Sequence, residues 1–253
     1  MSPGVARTMS DSHTVLLLGG TGRTGGRVLE QLLGRGVDVR AIVRSAGRLP
    51  AGVAANPALT VVEADLLSLS DEDLRGLVQG CDAVISCLGH VISVKGVFGP
   101  PRDLVTRAVS RVCDAIEALR PVEPVRLVLM STVSVHRPGG VDARRGGLEK
   151  AQLGVLRALV PPAKDNQDAA DFLCDEVGTA DPFVEWVAVR PDTLLEGDVS
   201  DYTLHEGLVS SLAKPDSTNM ANVAHFMCEL VEDPALFDRW AGKLPVIVNA
   251  PLK

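Results

Sequence analysis

The sequence predicts an α/β chain built as a right-handed, doubly wound parallel sheet. Three observations lead there. Short apolar runs alternate along the chain with stretches of helical periodicity, in βαβαβ order. An early stretch, VLLLGGTGRTGGRVLEQLLGRGVDVRAIVRS over residues 15–45, passes from an apolar run through clustered glycines into a helical pattern. The composition is 46% hydrophobic and only 3% aromatic, dominated by Val, Leu and Ala, which suits a sheet covered on both faces. With 253 residues, one large domain, or one domain carrying a small lobe, is the expected organisation.

The first unit sets the theme. Residues 15–18 read as a buried strand, too short to span a membrane. Gly19-Gly20-Thr21-Gly22-Arg23-Thr24-Gly25 follows, and then Val28, Leu29, Leu32 and Leu33 recur at helical spacing. Gly34 and Gly36 stop that helix, and residues 37–43 alternate as a second strand. Glycine at 19 permits a sharp turn, at 22 a close approach to a pyrophosphate, and at 25 tight packing of the helix on the sheet. The free N–H groups of the helix's first turn, with the positive end of its dipole, then hold phosphate charge. This is a dinucleotide-binding pattern. The spacing G-x-x-G-x-x-G, with Thr21 and an arginine inside the loop, resembles the extended and atypical short-chain dehydrogenase/reductases, most of all the NmrA-like group. The resemblance spans nearly the whole chain and implies a Rossmann-type fold with a small C-terminal substrate lobe over residues 193–217.

The end of the second strand bears on which dinucleotide. An NAD site carries an acid there for the ribose 2′-hydroxyl. Here it reads Ile42-Val43-Arg44-Ser45, and the nearby acid, Asp38, sits at the strand's start. Arg44 and Arg23 together offer bidentate, charge-assisted bonds to a 2′-phosphate. The expected cofactor is NADP(H).

Residues 46–57 form a loop, and residues 59–66 read as a third strand. Resemblance places Asp65 and Leu66 beside the adenine. Residues 69–80 are a helix with Ser70 as N-cap and Asp71, Glu72 and Asp73 in its first turn, favouring the dipole. Residues 82–89 are a fourth strand whose end, Cys87-Leu88-Gly89, the resemblance sets at the cofactor's ribose and phosphates. Cys87 reads as a small packing residue rather than a nucleophile. His90, Lys95 and Phe98 lie in the following loop, which the reading sends toward the nicotinamide end. Residues 103–119 are a strongly periodic helix, and 125–130 a fifth strand ending in Ser131 and Thr132. In this fold class those hydroxyls face nicotinamide and substrate. A loose excursion over 139–147 precedes helices at 148–159 and from 161 onward. Residues 184–189 are a sixth strand closed by Arg190-Pro191-Asp192-Thr193. The block 193–217 is irregular and polar, with a late helix at 219–230 and a final strand at 244–248.

The usual catalytic pair of short-chain dehydrogenases is a tyrosine four residues before a lysine, the lysine lowering the tyrosine's pKa and holding the ribose. Lys164, opening the helix before the sixth strand, is the candidate lysine and ribose ligand, but Val160 stands where the tyrosine belongs. The single tyrosine, Tyr202, lies far downstream. Candidate proton donors are therefore Ser131, Thr132, Ser134 and His136, the last with a reference pKa of about 6.5, and from the pocket-closing segment Tyr202 or His205.

The net charge of −7 and the lack of a basic stripe argue against nucleic acid. Five widely spaced cysteines without a C-x-x-C pair indicate neither a disulfide framework nor a zinc site. Residues 1–12 read as a polar tail without a signal-peptide core, and residues 13–253 as one domain. No apolar segment reaches the roughly 18 residues of a spanning helix. The expected protein is soluble and cytoplasmic, and the apolar helix at 103–119 offers a surface for a homodimer. Three activities fit: an NADPH-dependent reductase of a small apolar carbonyl, quinone or enone-like compound; a non-catalytic NADP(H) sensor with a protein partner; or an isomerase or cyclase on the same fold.

Overall fold

A computed structural model describes residues 13–90, 99–137, 142, 146–211 and 213–251. The expected tail over 1–12, Lys95 and Phe98, and most of the excursion over 139–147 lie outside the described residues. Ten strands are described: β1 (Thr14–Leu18), β2 (Asp38–Val43), β3 (Leu59–Glu63), β4 (Ala83–Ser86), β5 (Val125–Met130), β6 (Val184–Pro191), β7 (Thr193–Leu195), β8 (Tyr202–His205), β9 (Ser217–Asn219) and β10 (Val246–Asn249). The helices are α1 (Arg23–Gly34), α2 (Asp71–Val78), α3 (Leu104–Leu119), α4 (Gly147–Leu159), α5 (Pro161–Phe172), α6 (Met220–Glu232) and α7 (Pro234–Trp240).

Eight strands make one sheet in the order β3-β2-β1-β4-β5-β6-β10-β8. Its pairs are parallel except β10 with β8. The chain winds outward from β1 to β3, then restarts at β4 on β1's other side, so the switch point lies between β1 and β4. Ligands of open α/β sheets bind outside the strand ends at that crevice.

Two apolar layers cover the sheet, and β1 feeds both because side chains alternate across a strand. Leu16 and Leu18 join Val105, Val109, Val112 and Ile116 of α3 on one face. Val15 and Leu17 join Val28, Leu29 and Leu32 of α1 and Val223, Met227 and Leu230 of α6 on the other. The Ser70 cap forms as its sequence signature indicates, its Oγ accepting from Asp73 N at 3.1 Å.

Two expectations are corrected. The sheet is not wholly parallel, and the segment 193–217 is not irregular throughout. It holds β7 and β9, which pair with each other, and β8, which lies antiparallel along β10. An edge strand is exposed along one side, so β8 carries a weak apolar signature, and pairing covers the backbone donors and acceptors of β10. Helix α7 went unread because it has only seven residues. Among the described residues no helix is long and apolar enough to cross a membrane.

Candidate functional site: a dinucleotide cleft

The first turn after β1 is built by glycine where no other residue fits. Gly19 has φ +81°, and a Cβ on it would come 2.6 Å from the Cys87 carbonyl oxygen. A Cβ on Gly25 would overlap the Gly19 carbonyl oxygen and sit 3.1 Å from the Cys87 Cβ. Loop, helix start and β4 end are therefore one close-packed unit. Gly22 closes the turn, its N–H donating to Gly19 O at 2.9 Å, and its own carbonyl takes the first helical bond from Gly26 N at 2.8 Å. As N-cap of α1, Gly22 has no side chain to cap the helix, and the first turn holds no acid. The N–H groups of that turn keep their donor capacity for an external anion. Ser70, with three acids in the first turn of α2, is the opposite arrangement: that helix end is neutralised by its own sequence.

A cleft opens at the switch point. It is lined by Gly19, Thr21 and Gly22 of the loop, Arg44 and Arg48 beyond β2, Asp65 and Leu66 beyond β3, and Cys87, Leu88 and Gly89 beyond β4. Nine of the residues expected at the cofactor thus share one wall system, and Arg48 joins them without having been read from the sequence. Arg44 and Arg48 are exposed, and neither is ion-paired among the described residues. Asp65 has a structural task as well: its Oδ1 accepts from Leu67 N at 3.1 Å, capping a short turn. Glu63 fixes the arginine loop by accepting from Ala46 N at 2.8 Å. Cys87 is buried, and burial above all pushes its thiol up, as a packing role requires. A glycine cradle and an uncapped helix end fit a dinucleotide's pyrophosphate, with two arginines beyond the end of β2.

Other expected residues point elsewhere. Arg23 turns from Arg44 and bonds Glu196 at 2.6 Å, a carboxylate that Arg27 also holds. Thr24 and Gly25 are buried inside the start of α1 rather than in the cleft wall. Lys164 is exposed and pairs with Asp168 one turn along α5; successive helical positions differ by about 100°, and it is Asp165, the next residue, that faces inward. His136 lines a separate cavity of about 250 Å³ with Gln167, Asp171 and Cys174. Its Nδ1 lies 3.8 Å from Asp142. Tyr202 bonds His225 Nδ1 at 3.0 Å, and His205 bonds Thr203 Oγ1 at 2.9 Å.

Beyond β5 and β6 the wall mixes polar and apolar residues. Ser131 is buried, and its Oγ has no partner among the described residues. Thr132, Asp192, Thr193, Ser210, Ser211 and Pro215 line a cavity of about 270 Å³. Hydroxyls and a carboxylate stand there beside the apolar Val133 and Pro215. Asp192 is held by Ser210 Oγ, by Asp216 N at 3.2 Å and by Thr193 N at 2.7 Å. Behind this wall Arg190 and Asp142 form an ion pair at 2.8 Å, both side chains 0% exposed. Sequence reasoning missed this pair because its partners stand 48 residues apart.

Comparison with known proteins agrees with this geometry. Residues 19–234 match the family described as NAD(P)H-binding. An uncharacterised chloroplastic protein of Arabidopsis thaliana is 34% identical over 227 residues, 86% of this chain and 78% of that protein. Among solved structures, a short-chain dehydrogenase/reductase from Veillonella parvula superposes with a TM-score of 0.67 at 14% identity, over 94% of this chain and 95% of that one. The anaerobilin reductase ChuY from Escherichia coli O157:H7 superposes with a TM-score of 0.65 at 19% identity, over 95% and 98%.

Proposed function

The chain belongs to the NAD(P)H-binding family, and from that premise we propose that it is an NADPH-dependent reductase of a small carbonyl, quinone or enone compound. The observation that carries the reading is the cleft at the switch point, where an uncapped helix end meets two arginines that lack ion-pair partners among the described residues. Arg44 and Arg48 would hold a 2′-phosphate, Gly22 and the first turn of α1 the pyrophosphate, and Asp65 the adenine edge. Bound there, a reduced nicotinamide supplies a hydride. Ser131, a buried hydroxyl with no described partner, would hold the substrate's oxygen or the nicotinamide amide as a hydrogen-bond donor. The cavity beside Thr132 and Asp192 offers hydroxyls to a substrate's hydrogen-bonding groups and apolar contact from Val133 and Pro215.

The test is calorimetric titration with NADPH, NADP+ and NADH, followed by loss of NADPH absorbance against a panel of carbonyls and quinones. Binding that depends on the 2′-phosphate, with turnover of a panel member, is expected. A folded, NADPH-bound protein inert to the panel would count against the reductase. A second reading, an NADP(H) sensor with a protein partner, draws support from the outward turn of Lys164 and the engagement of Tyr202 with His225. It requires affinities that differ between the oxidised and reduced dinucleotide, or a partner whose binding follows redox state.

A further inference from the structure

A buried cluster beside the cleft has no part in phosphate binding. Asp165, on α5, points into the N-terminus of α3. Its Oδ2 accepts from Val105 N and from His90 Nε2, each at 2.8 Å. Its Oδ1 accepts from Thr106 N at 3.0 Å and from Thr106 Oγ1 at 2.7 Å. The side chains of His90 and Asp165 are 4% and 0% exposed.

Helix capping explains part of this. Asp103, the N-cap of α3, makes no side-chain capping bond, so Asp165 supplies the cap from a neighbouring helix. Capping does not explain the histidine. Three donors from Val105 and Thr106 already satisfy the carboxylate, and burying an imidazole carries a desolvation cost that an apolar residue at position 90 would avoid. Location suggests its use. Gly89, immediately before His90, lines the cleft, and so does Leu104, immediately before Val105. The bond from His90 to Asp165 therefore ties together two walls of the cleft at the carboxyl end of β4, between β1 and β5 in the sheet.

The partner also decides the tautomer. A carboxylate only accepts, so the bonded Nε2 carries the hydrogen, and Nδ1 is the atom left to exchange a proton. Of the other candidates, His136 lines another cavity, Tyr202 is bonded to His225 and His205 to Thr203, while Ser131 and Thr132 are hydroxyls suited to holding the substrate's oxygen rather than to supplying its proton.

Building on the reductase reading, we propose that His90, oriented by Asp165, is the acid that replaces the missing tyrosine. The substrate carbonyl carbon accepts the hydride from the reduced dinucleotide, which leaves oxidised. The C=O π pair moves to oxygen, which takes the proton from Nδ1 of the His90 imidazolium. The neutral imidazole then recovers a proton from water, Nε2–H remaining on Asp165 throughout. Asp165 is the charged group bonded to His90; the charges on α3 and α5 closest in sequence to its partners, Asp103 with Arg107 at 3.9 Å and Lys164 with Asp168, are exposed and paired with each other.

The experiment compares the wild type with His90→Gln, His90→Phe and Asp165→Asn in the full chain. On the nucleotide-free protein, ¹⁵N NMR assigns His90 as the resonance lost in His90→Gln. The Nε2–H tautomer is expected, shifting toward a tautomer mixture in Asp165→Asn. With NADPH and an active substrate, kcat of His90→Gln should fall roughly 10²- to 10⁴-fold. NADPH affinity should hold within about threefold, and the dependence of kcat on His90 protonation should vanish from the pH profile. An unchanged kcat and pH profile in both His90 variants, or a wild-type Nδ1–H tautomer, overturns the proposal while leaving the reductase reading intact. A wild type that binds NADPH but reduces nothing overturns both. Should Asp165→Asn fail to fold for want of its cap, the His90 variants and the wild-type tautomer still decide.

Discussion

Replacing Asp142 with alanine should be among the most damaging single changes in this protein. Its carboxylate accepts from Arg190 Nη1 at 2.8 Å, Arg137 N at 2.8 Å and Leu208 N at 3.2 Å. Arg190 also donates to the carbonyls of Leu244, Val135 and Glu206, at 2.8, 3.3 and 3.2 Å. Removing Asp142 leaves a fully buried guanidinium facing three carbonyls without a counter-charge, and two backbone donors without an acceptor. Breaking a buried pair from one side costs about 3–5 kcal/mol. At about 2–4 °C per kcal/mol for a chain of this size, the melting temperature should fall by roughly 10 °C. Thermal unfolding measures this. A loss below about 1 kcal/mol would refute the reasoning, as would an Asp142→Leu/Arg190→Met double variant that loses the sum of the two single changes, since removing both charges together should cost less than removing either. The pH dependence has a definite sign. Burial pushes the Asp142 carboxyl up, but the Arg190 bond and charge and the N–H groups of Arg137 and Leu208 outweigh it, holding the carboxyl below the usual range. The folded value lies below the unfolded one, so this stabilisation is present at neutral pH and is lost as acid carries the pH down through the folded value. Asp142→Asn should remove that acid-side dependence.

Gly25→Ala should abolish nucleotide binding by calorimetry while the sheet persists by circular dichroism, because the new methyl group overlaps the Gly19 carbonyl oxygen; retained affinity would show that the loop can shift. Arg44→Ala and Arg48→Ala should each weaken NADPH about tenfold, a share of the ~1.5–3 kcal/mol of a charged hydrogen bond reduced by exposure, and leave NADH unchanged. Equal losses for both dinucleotides would place the arginines away from the 2′-phosphate. Burial pushes the Cys81 thiol up to about 11 and that of Cys228 to about 12. At neutral pH the folded protein should therefore resist alkylation at both, and unfolding should release them, as mass spectrometry would report.

The local features were readable before any coordinates. Glycine at 19, 22 and 25, the period-two and helical runs, and the Ser70 cap each depend on residues within a turn or a strand of one another, where backbone sterics and side-chain spacing leave few solutions. These carried the doubly wound order and nine of the cleft-lining positions. The dinucleotide reading rested on them, and the family match agrees with it. What short-range geometry left open concerned direction and partnership. Lys164 and Asp165 are adjacent in sequence, and only the phase of α5 against α3 decides which enters the interior. Arg23 lies inside the motif, yet Glu196, 173 residues away, takes its charge. β8 joins the sheet because the edge of β10 offers it hydrogen bonds, not because its own four residues demand a strand.

The sequence by itself therefore determined the order of the elements up to β6 and the glycine turn after β1, because those follow from short-range geometry. The tertiary structure alone decided which charges meet: Arg190 with Asp142, His90 with Asp165, Arg23 with Glu196. Charged partners are selected by three-dimensional proximity and by the desolvation that burial imposes, and neither is written in the spacing of residues along the chain.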